Sequence, residues 1–539
     1  MPEKPQEPPR ASAWQHHPRW RTQRVPRIAY RFRRTLQYLF HLLVWSRVVV
    51  ARQNWGRIVI PEDLRHAKQV PFGQPQLECR GRSGAEHVES GFRAVYDILF
   101  ANLKRADLIT PLRHAVPGPA FAGVYLWDSA FIAQIWNTWD RATAREVLEA
   151  VIELREGDRL QHVVADFVSS TFTQPPLVAW AAQRLMESEP DTDATAAYRR
   201  RVYPALSAFH HWLQAERRRD DGLYCWLHPY ESGVENAPRF ANRDESFLAD
   251  TRQIAAPDFC AYVILQCEAL SAMAEKLGDG LAAKKFHEHA EELRQQMNSQ
   301  LWDEQDGLYY DAEPDGNLIR SRTIASLLPL AAGVPDLERA QRLVEHIRNP
   351  ASFGSTVPLP SVALDDPDFA RDMWRGPVWI NVAYLAVQGL LRYGFRRDAA
   401  EVAWRLCDGV FRVLEAEHQV YEFYDPEHFH TRFLHRKKGN LWKAITLGSG
   451  PQKEFVGWSG LVNTLFIEVL LGYHRSDGHV RLRPCLPAHL AGITLILEVA
   501  QDDARLELTG DARQNTHGIL TFGTTSHPFE LAFGEEIRF

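Results

Sequence analysis

The chain has 539 residues, more than one ordinary core organises and enough for two or three domains. Its composition, 45% hydrophobic and 24% charged, is that of a globular protein, and a formal net charge of -6 gives no reason to expect nucleic acid as a partner. The six cysteines (Cys79, Cys225, Cys260, Cys267, Cys407 and Cys485) form no CxxC pair. That argues against a disulfide framework or a local zinc signature and fits free thiols in a reducing, cytoplasmic setting.

Residues 1–35 form a locally basic tail rich in Pro, Arg and Trp. The run from Leu36 to Ala51 is apolar but interrupted by Gln37, His41 and Arg47. It falls short of the ~20 apolar residues a spanning helix needs, and the charged region ahead of it suits a secretory signal poorly. The expectation is an N-terminal helix docked on the main domain, with a membrane-surface helix as the minority alternative. Residues 52–90 are broken by Pro61, Pro71, Gly73 and Pro75 and read as irregular.

From about residue 88 helical periodicity takes over. Phe92, Val95, Tyr96, Leu99 and Leu103 fall on one stripe. Val263, Cys267, Leu270, Ala274 and Leu277 form another, stopped by Gly278, and Phe286, Ala290, Leu293, Met297 and Leu301 form its partner. Such helix pairs recur to about residue 474, as in α-rich repeat architectures. Two matching turns, Asp221-Gly-Leu-Tyr and Asp306-Gly-Leu-Tyr, each follow a charged helix and lead into a short strand. After Tyr473 the pattern becomes short and alternating, at Val480–Arg483, Gly492–Val499, Ala504–Leu508 and Phe529–Phe533. The predicted domains are therefore an N-terminal extension (1–87), a helical domain (88–474) and a small β appendage (475–539). No GxGxxG, P-loop, HExxH or GxSxG motif occurs, which leaves dinucleotide, nucleotide and serine-hydrolase chemistry without support.

The chemistry concentrates in a few aromatic and acidic stretches. Tyr230 to Arg239 reads YESGVENAPR, placing Glu231 and Glu235 four residues apart. Gly233 and Pro238 disfavour a regular helix there, so the acids are expected on a shaped loop. Carboxylates beside aromatic faces suit a sugar, whose apolar face stacks while the acids bind hydroxyls or move protons. Taken alone, the segment is equally well a solvated surface loop. Four further stretches weigh against that: Tyr125-Leu-Trp-Asp-Ser-Ala-Phe131, Thr173-Gln-Pro-Pro-Leu-Val-Ala-Trp180, Trp374-Arg-Gly-Pro-Val-Trp-Ile-Asn381 and Tyr421-Glu-Phe-Tyr-Asp-Pro426. Each on its own is ordinary helix-end chemistry, with Asp128 as a plain N-cap. A carboxylate held among aromatics, such as Glu422, has the surroundings that tune an acid or base.

Together with PLPS at residues 358–361 and Gly457-Trp-Ser459, these motifs resemble the (α/α)6-barrel glycosidases of glycoside hydrolase family 63 and its relatives. That group includes mannosylglycerate and glucosylglycerate hydrolases, mannosyl-oligosaccharide glucosidase and, more distantly, trehalase. The motifs occur in that family's order across roughly residues 88–474. The resemblance implies a mainly α fold and an inverting α-glycosidase that needs neither metal nor cofactor and takes a small carbohydrate. Glu235 falls at the general acid, where the family usually has Asp, and Glu422 at the general base. It also implies substrate contacts from Tyr125, Trp127, Asp128, Gln174, Trp374, Trp379, Asn381, Tyr424 and Trp458. Arg239 and Arg375 would orient polar groups, and Glu231 would contact substrate or hold its loop. Two rivals remain: a carbohydrate-binding protein that has lost catalysis, supported by the Asp-to-Glu departure, and a sugar epimerase, which would rely on paired histidines. Gluco or manno preference and oligomeric state stay open.

One further segment, residues 432–453, holds six Lys or Arg and no acid. It is expected to be either a lid whose charge suits an anionic aglycone such as glycerate, or a solvated loop.

Overall fold

The computed structural model describes residues 46–48, 73–81, 86–105, 109–165, 168–240, 251–437, 445 and 447–539. Ten helices of ten or more residues dominate it. They are α1 Glu86–Ala101, α2 Leu126–Asn137, α3 Arg141–Glu153, α4 Val178–Glu187, α5 Asp193–Arg217, α6 Pro257–Lys276, α7 Gly280–Gln300, α8 Leu337–Arg348, α9 Ile380–Arg392 and α10 Arg396–Glu417. A final helical run follows through Val456–Ser459 and Leu461–Leu465.

Burial sorts these helices into two layers. In α2 every residue from Leu126 to Trp136 is buried, and α6 and α9 are buried almost all round from Pro257 to Cys267 and from Ile380 to Val387. Their sequences carry no charged face there, and helices of that kind belong inside. By contrast α7 buries only the stripe Phe286, His289, Ala290, Leu293 and Met297, and α8 only Ala340, Leu343, Val344 and Ile347. These outer helices pack on inner ones, α7 on α6, α3 on α2 and α10 on α9. The α6–α7 hairpin turns as expected: Gly278 sits at φ 80° and Asp279 caps α7 through the Ala282 N–H. Both Asp-Gly turns also form, with Gly222 and Gly307 at positive φ, and Leu308–Tyr309 pairs with Trp302–Asp303.

The inner helices begin where the motifs stand. Tyr125 is the N-cap residue of α2, Trp379 that of α9, and Leu177 that of α4. This gathers the aromatic motifs at one rim of the helical layers.

Two sequence expectations change at the ends of the chain. Ser46–Val48 is a strand paired antiparallel with Val168–Ser170, so the predicted N-terminal helix does not run through these residues. The rest of that expected helix, the basic tail and the membrane-surface alternative lie outside the described residues. Among the described residues no helix is long and apolar enough to cross a membrane. The C-terminal strands form a five-stranded sheet whose edge strand is Gln76–Arg80, paired with Thr494–Val499. A segment ahead of the helical domain thus completes the sheet behind it. Sequence reading also missed the strand Thr516–Phe522, in which Gly518 packs directly on the Glu507 carbonyl where a side chain would not fit.

Candidate active site

Four tryptophans from three separate motifs make one cluster. Trp374 and Trp379 stack at 3.8 Å with planes 6° apart. Trp458 meets Trp379 and Trp127 at 5.3 Å each, and Trp127 lies 6.4 Å from Trp374. Phe423, next to Glu422, extends the cluster at 4.6 Å from Trp379. All five rings are buried.

Backbone and amide contacts fasten the motif loops to this cluster. Asn236 spans two of them: its Oδ1 accepts from the Trp374 N–H at 2.9 Å and its Nδ2 donates to the Asp372 carbonyl at 3.2 Å. Val378 and Tyr424 exchange both backbone hydrogen bonds, at 2.9 and 3.0 Å, joining the tryptophan loop to the Glu422 loop. The Glu235 loop is held by geometry only glycine allows. Gly233 ends the short helix Pro229–Ser232 at φ 72°, and a Cβ there would stand 2.4 Å from the Trp127 ring.

Several buried polar atoms of the motif residues have no hydrogen-bond partner: Trp127 Nε1, Asp128 Oδ2, Gln174 Oε1, Trp458 Nε1, and both Nδ2 and Oδ1 of Asn381. Buried polar groups are ordinarily satisfied, and leaving one unpaired costs about 1–3 kcal/mol. Such atoms are open to the hydroxyls of a ligand. Asp128 does not cap α2, whose N-cap position belongs to Tyr125. Burial pushes its carboxyl up to about 8, while the nearby Trp458 indole pulls the other way without completing a hydrogen bond. Tyr125 stands at the edge of this set, its hydroxyl also raised by burial.

Both proposed catalytic acids lie against the basic segment. Arg436 is ion-paired with Glu422, and the Nζ of Lys437 stands 3.9 Å from Glu235 Oε1. Both cations are buried. Arg436 sits 5.5 Å over the Phe423 ring and Lys437 4.9 Å over the Tyr230 ring. Burial pulls the Arg436 guanidinium downward, against the negative charges of Glu235 and Asp372. Residues 435–437 are held to the tryptophan loop, where the Met373 N–H donates to the His435 carbonyl at 2.9 Å. Glu422 is fixed in turn by Gln452, with a backbone bond of 3.0 Å one way and 3.3 Å back to Oε2. Two consecutive cations therefore join two acids that are distant in sequence. The remainder of the basic segment, residues 438–444 and 446, lies outside the described residues.

Four expected sugar contacts are engaged elsewhere. Glu231 is fully buried and takes a forked pair from Arg217 at 2.8 and 3.0 Å, plus the N–H groups of Thr173 at 3.2 Å and Leu227 at 2.8 Å. Its role is to hold the loop. Arg239 is buried between Asp258 and Asp311, at 3.0 Å from each through one nitrogen. Tyr424 is buried with its hydroxyl accepting from the Tyr421 N–H at 3.0 Å. Arg375 points toward Asp368, 3.5 Å away, with its side chain a quarter exposed. The polar groups of the first three are thus engaged by protein partners, and Arg375 pairs with Asp368. Asn236, Gln452, Asp258 and Asp311 were missed as groups that hold these loops. Asn236 lies inside the Tyr230–Arg239 motif, whereas Asp258 and Asp311 come from distant segments, and which way each points depends on tertiary structure.

Among the described residues, the acids of this site form no group suited to holding a metal. A void of about 10 Å³ behind Val234, Arg239 and Trp374 has room for roughly one water.

A family model described as a mannosylglycerate hydrolase MGH1-like glycoside hydrolase domain matches residues 122–430. The chain is 28% identical over 372 residues to the mannosylglycerate hydrolase of Thermus thermophilus, covering 56% of this chain and 88% of that one. It is 24% identical to the periplasmic trehalase of Salmonella paratyphi C over 67% of this chain and 72% of that one. Among solved structures, a family 63 mannosylglycerate hydrolase from Thermus thermophilus in complex with glucose superposes with a TM-score of 0.58. That pair is 26% identical, over 69% of this chain and 98% of the other. The two helical layers are those of an (α/α)6 barrel.

Proposed function

The chain belongs to the mannosylglycerate hydrolase MGH1-like glycoside hydrolases, and on that premise we propose that it cleaves a small α-glucoside or α-mannoside with inversion. The reading rests on one observation: Glu235 and Glu422 are drawn to one pair of neighbouring cations beside four clustered tryptophans. Glu235 is the general acid that protonates the glycosidic oxygen. Glu422 is the general base that takes a proton from the attacking water on the opposite face of the sugar. An inverting pair stands ~6.5–9.5 Å apart to admit that water. The tryptophan faces stack on the sugar ring, and Asp128, Gln174 and Asn381 supply the unsatisfied polar atoms that meet its hydroxyls.

Arg436 and Lys437 narrow the substrate class. For the reaction to proceed, Arg436 must yield Glu422 to water and Lys437 must yield Glu235 to the glycosidic oxygen. An anionic aglycone of the glycerate type gives both cations a new partner, so its binding frees both acids. Glucosylglycerate- or mannosylglycerate-like compounds are therefore preferred over a neutral disaccharide. The cysteines, none of them in a disulfide, support a cytoplasmic enzyme.

The test is hydrolysis of a panel of small α-glycosides, with the released anomer followed by NMR. The β-anomer is expected first, with kcat reduced about 10²–10⁴-fold in Glu235→Gln and Glu422→Gln. Glu235→Asp, which restores the shorter acid, is expected to keep more activity than Glu235→Gln, because it retains a carboxyl that can donate the proton. Sugar binding with no turnover in any variant would replace this reading with that of a binding protein. The ion pair between Arg436 and Glu422 is the feature that favours that second reading.

A further inference from the structure

Away from the carboxylates, three buried side chains meet between α5, α6 and α7: His210, Cys267 and His289. His210 Nε2 lies 3.2 Å from His289 Nδ1. Cys267 Sγ lies 3.6 Å from His289 Nδ1 and 3.8 Å from His210 Nε2. A tetrahedral zinc with Zn–N of about 2.0–2.1 Å and Zn–S of about 2.3 Å spaces two nitrogens by about 3.3 Å and a nitrogen and sulfur by about 3.6 Å. The three observed separations match that ligand triangle.

The hydrogen-bond bookkeeping points the same way. Three groups crowd the one ring nitrogen His289 Nδ1: His210 Nε2, Cys267 Sγ and the Gln214 amide at 3.1 Å. A neutral imidazole offers a single lone pair there, so three polar groups converge on one acceptor position. A metal ion at the centre uses every lone pair at once. His289 Nε2 lies 3.2 Å from the Tyr224 hydroxyl, which accepts its N–H in the tautomer that leaves Nδ1 free to ligate. Gln214 follows His210 by one helical turn on α5, and turning its amide over presents an oxygen as the fourth ligand.

We propose that His210, Cys267 and His289, with the Gln214 amide, form a structural zinc site. Zinc binds the Cys267 thiolate, and the displaced thiol proton leaves to solvent. Thiolate and imidazole together select zinc or copper(I) over magnesium or calcium. The four ligands come from three helices, so the ion cross-links the outer helices α5 and α7 to the inner helix α6. Through Tyr224 it also braces the segment that runs by Trp226, stacked at 3.8 Å on Phe259, into the Glu235 loop. The site is independent of the proposed glycosidase reading.

The experiment uses the full, untagged chain, refolded with zinc and dialysed, with metal content read by mass spectrometry. One zinc per chain is expected in the parent, and a several-fold lower content in Cys267→Ala and His289→Ala. A strong chelator should lower the parent's Tm by several degrees and leave that of Cys267→Ala unchanged. Should either variant fail to fold, the parent alone decides: loading with cobalt(II) must give thiolate-to-cobalt charge-transfer absorption. A parent that retains no zinc, shows no such band and has the same Tm with and without chelator overturns the proposal. Retention of copper(I) alone overturns the choice of zinc.

Discussion

The ammonium of Lys437 stands 3.9 Å from Glu235 Oε1, buried beneath the same turn of chain that pairs Arg436 with Glu422. Lys437 adopts a left-handed backbone conformation, φ 48°, which is uncommon outside glycine and turns these two adjacent side chains onto the two acids. Arg436 and Lys437 of the basic segment thus lie against the two acids.

Replacing Lys437 with Met should separate anionic from neutral substrates. A charge-assisted hydrogen bond contributes about 1.5–3 kcal/mol, so kcat/KM for a glycerate glycoside should fall roughly 10–100-fold. For the matching glycerol glycoside it should change little or rise. Equal losses on both substrates would show that Lys437 serves only the fold.

Gly233→Ala tests the fit between the Glu235 loop and Trp127. The new methyl meets the indole at 2.4 Å and the residue must hold a positive φ. Overpacking of this kind costs about 1–3 kcal/mol. The variant should fold by circular dichroism, melt lower and lose activity by at least tenfold. An unchanged kcat/KM would uncouple this contact from catalysis.

Asp128 gives a pH signature. Its folded carboxyl, raised to about 8, keeps a proton that the unfolded chain releases near 3.8. The folded state thus binds more protons across that window, and stability from this group falls as pH rises from about 4 to about 8, then levels. Asp128→Asn lacks the titration. Denaturation midpoints at pH 5 and pH 8 should therefore differ more in the parent than in the variant, and parallel behaviour would refute the assignment.

Arg239 holds two carboxylates, Asp258 and Asp311, in the interior. Removing one partner of such a group typically costs about 3–5 kcal/mol. Arg239→Met should lose stability on that scale, whereas Arg375→Met, altering a partly exposed group, should lose less than about 1 kcal/mol. Comparable losses would mean that the buried triad is not the stronger support.

Motif order and helical periodicity announced the barrel because both are local: the α6 and α7 stripes and the glycine between them form as read. The residue types needed at a sugar site were equally visible. What side chains face was not. Glu231 and Arg239 sit in the same ten-residue motif as Glu235, yet Arg217, Asp258 and Asp311 turn them inward, and those partners come from distant helices and loops. The His210, Cys267 and His289 trio escaped for the same reason, since three separate helices supply it at no recognisable spacing. Ser46–Val48 is too short to carry a periodicity of its own, and its partner Val168–Ser170 makes it a strand.

The pairing of Gln76–Arg80 with Thr494–Val499 has a practical consequence for trimming the chain. A fragment begun at the first helix keeps every barrel helix but strips the cover from one sheet edge, leaving a row of apolar-flanked backbone donors and acceptors open to another molecule. The C-terminal sheet cannot be treated as a detachable module. It borrows its last strand from the opposite end of the polypeptide, so the two ends clasp across α1, and cutting either one frees an adhesive edge.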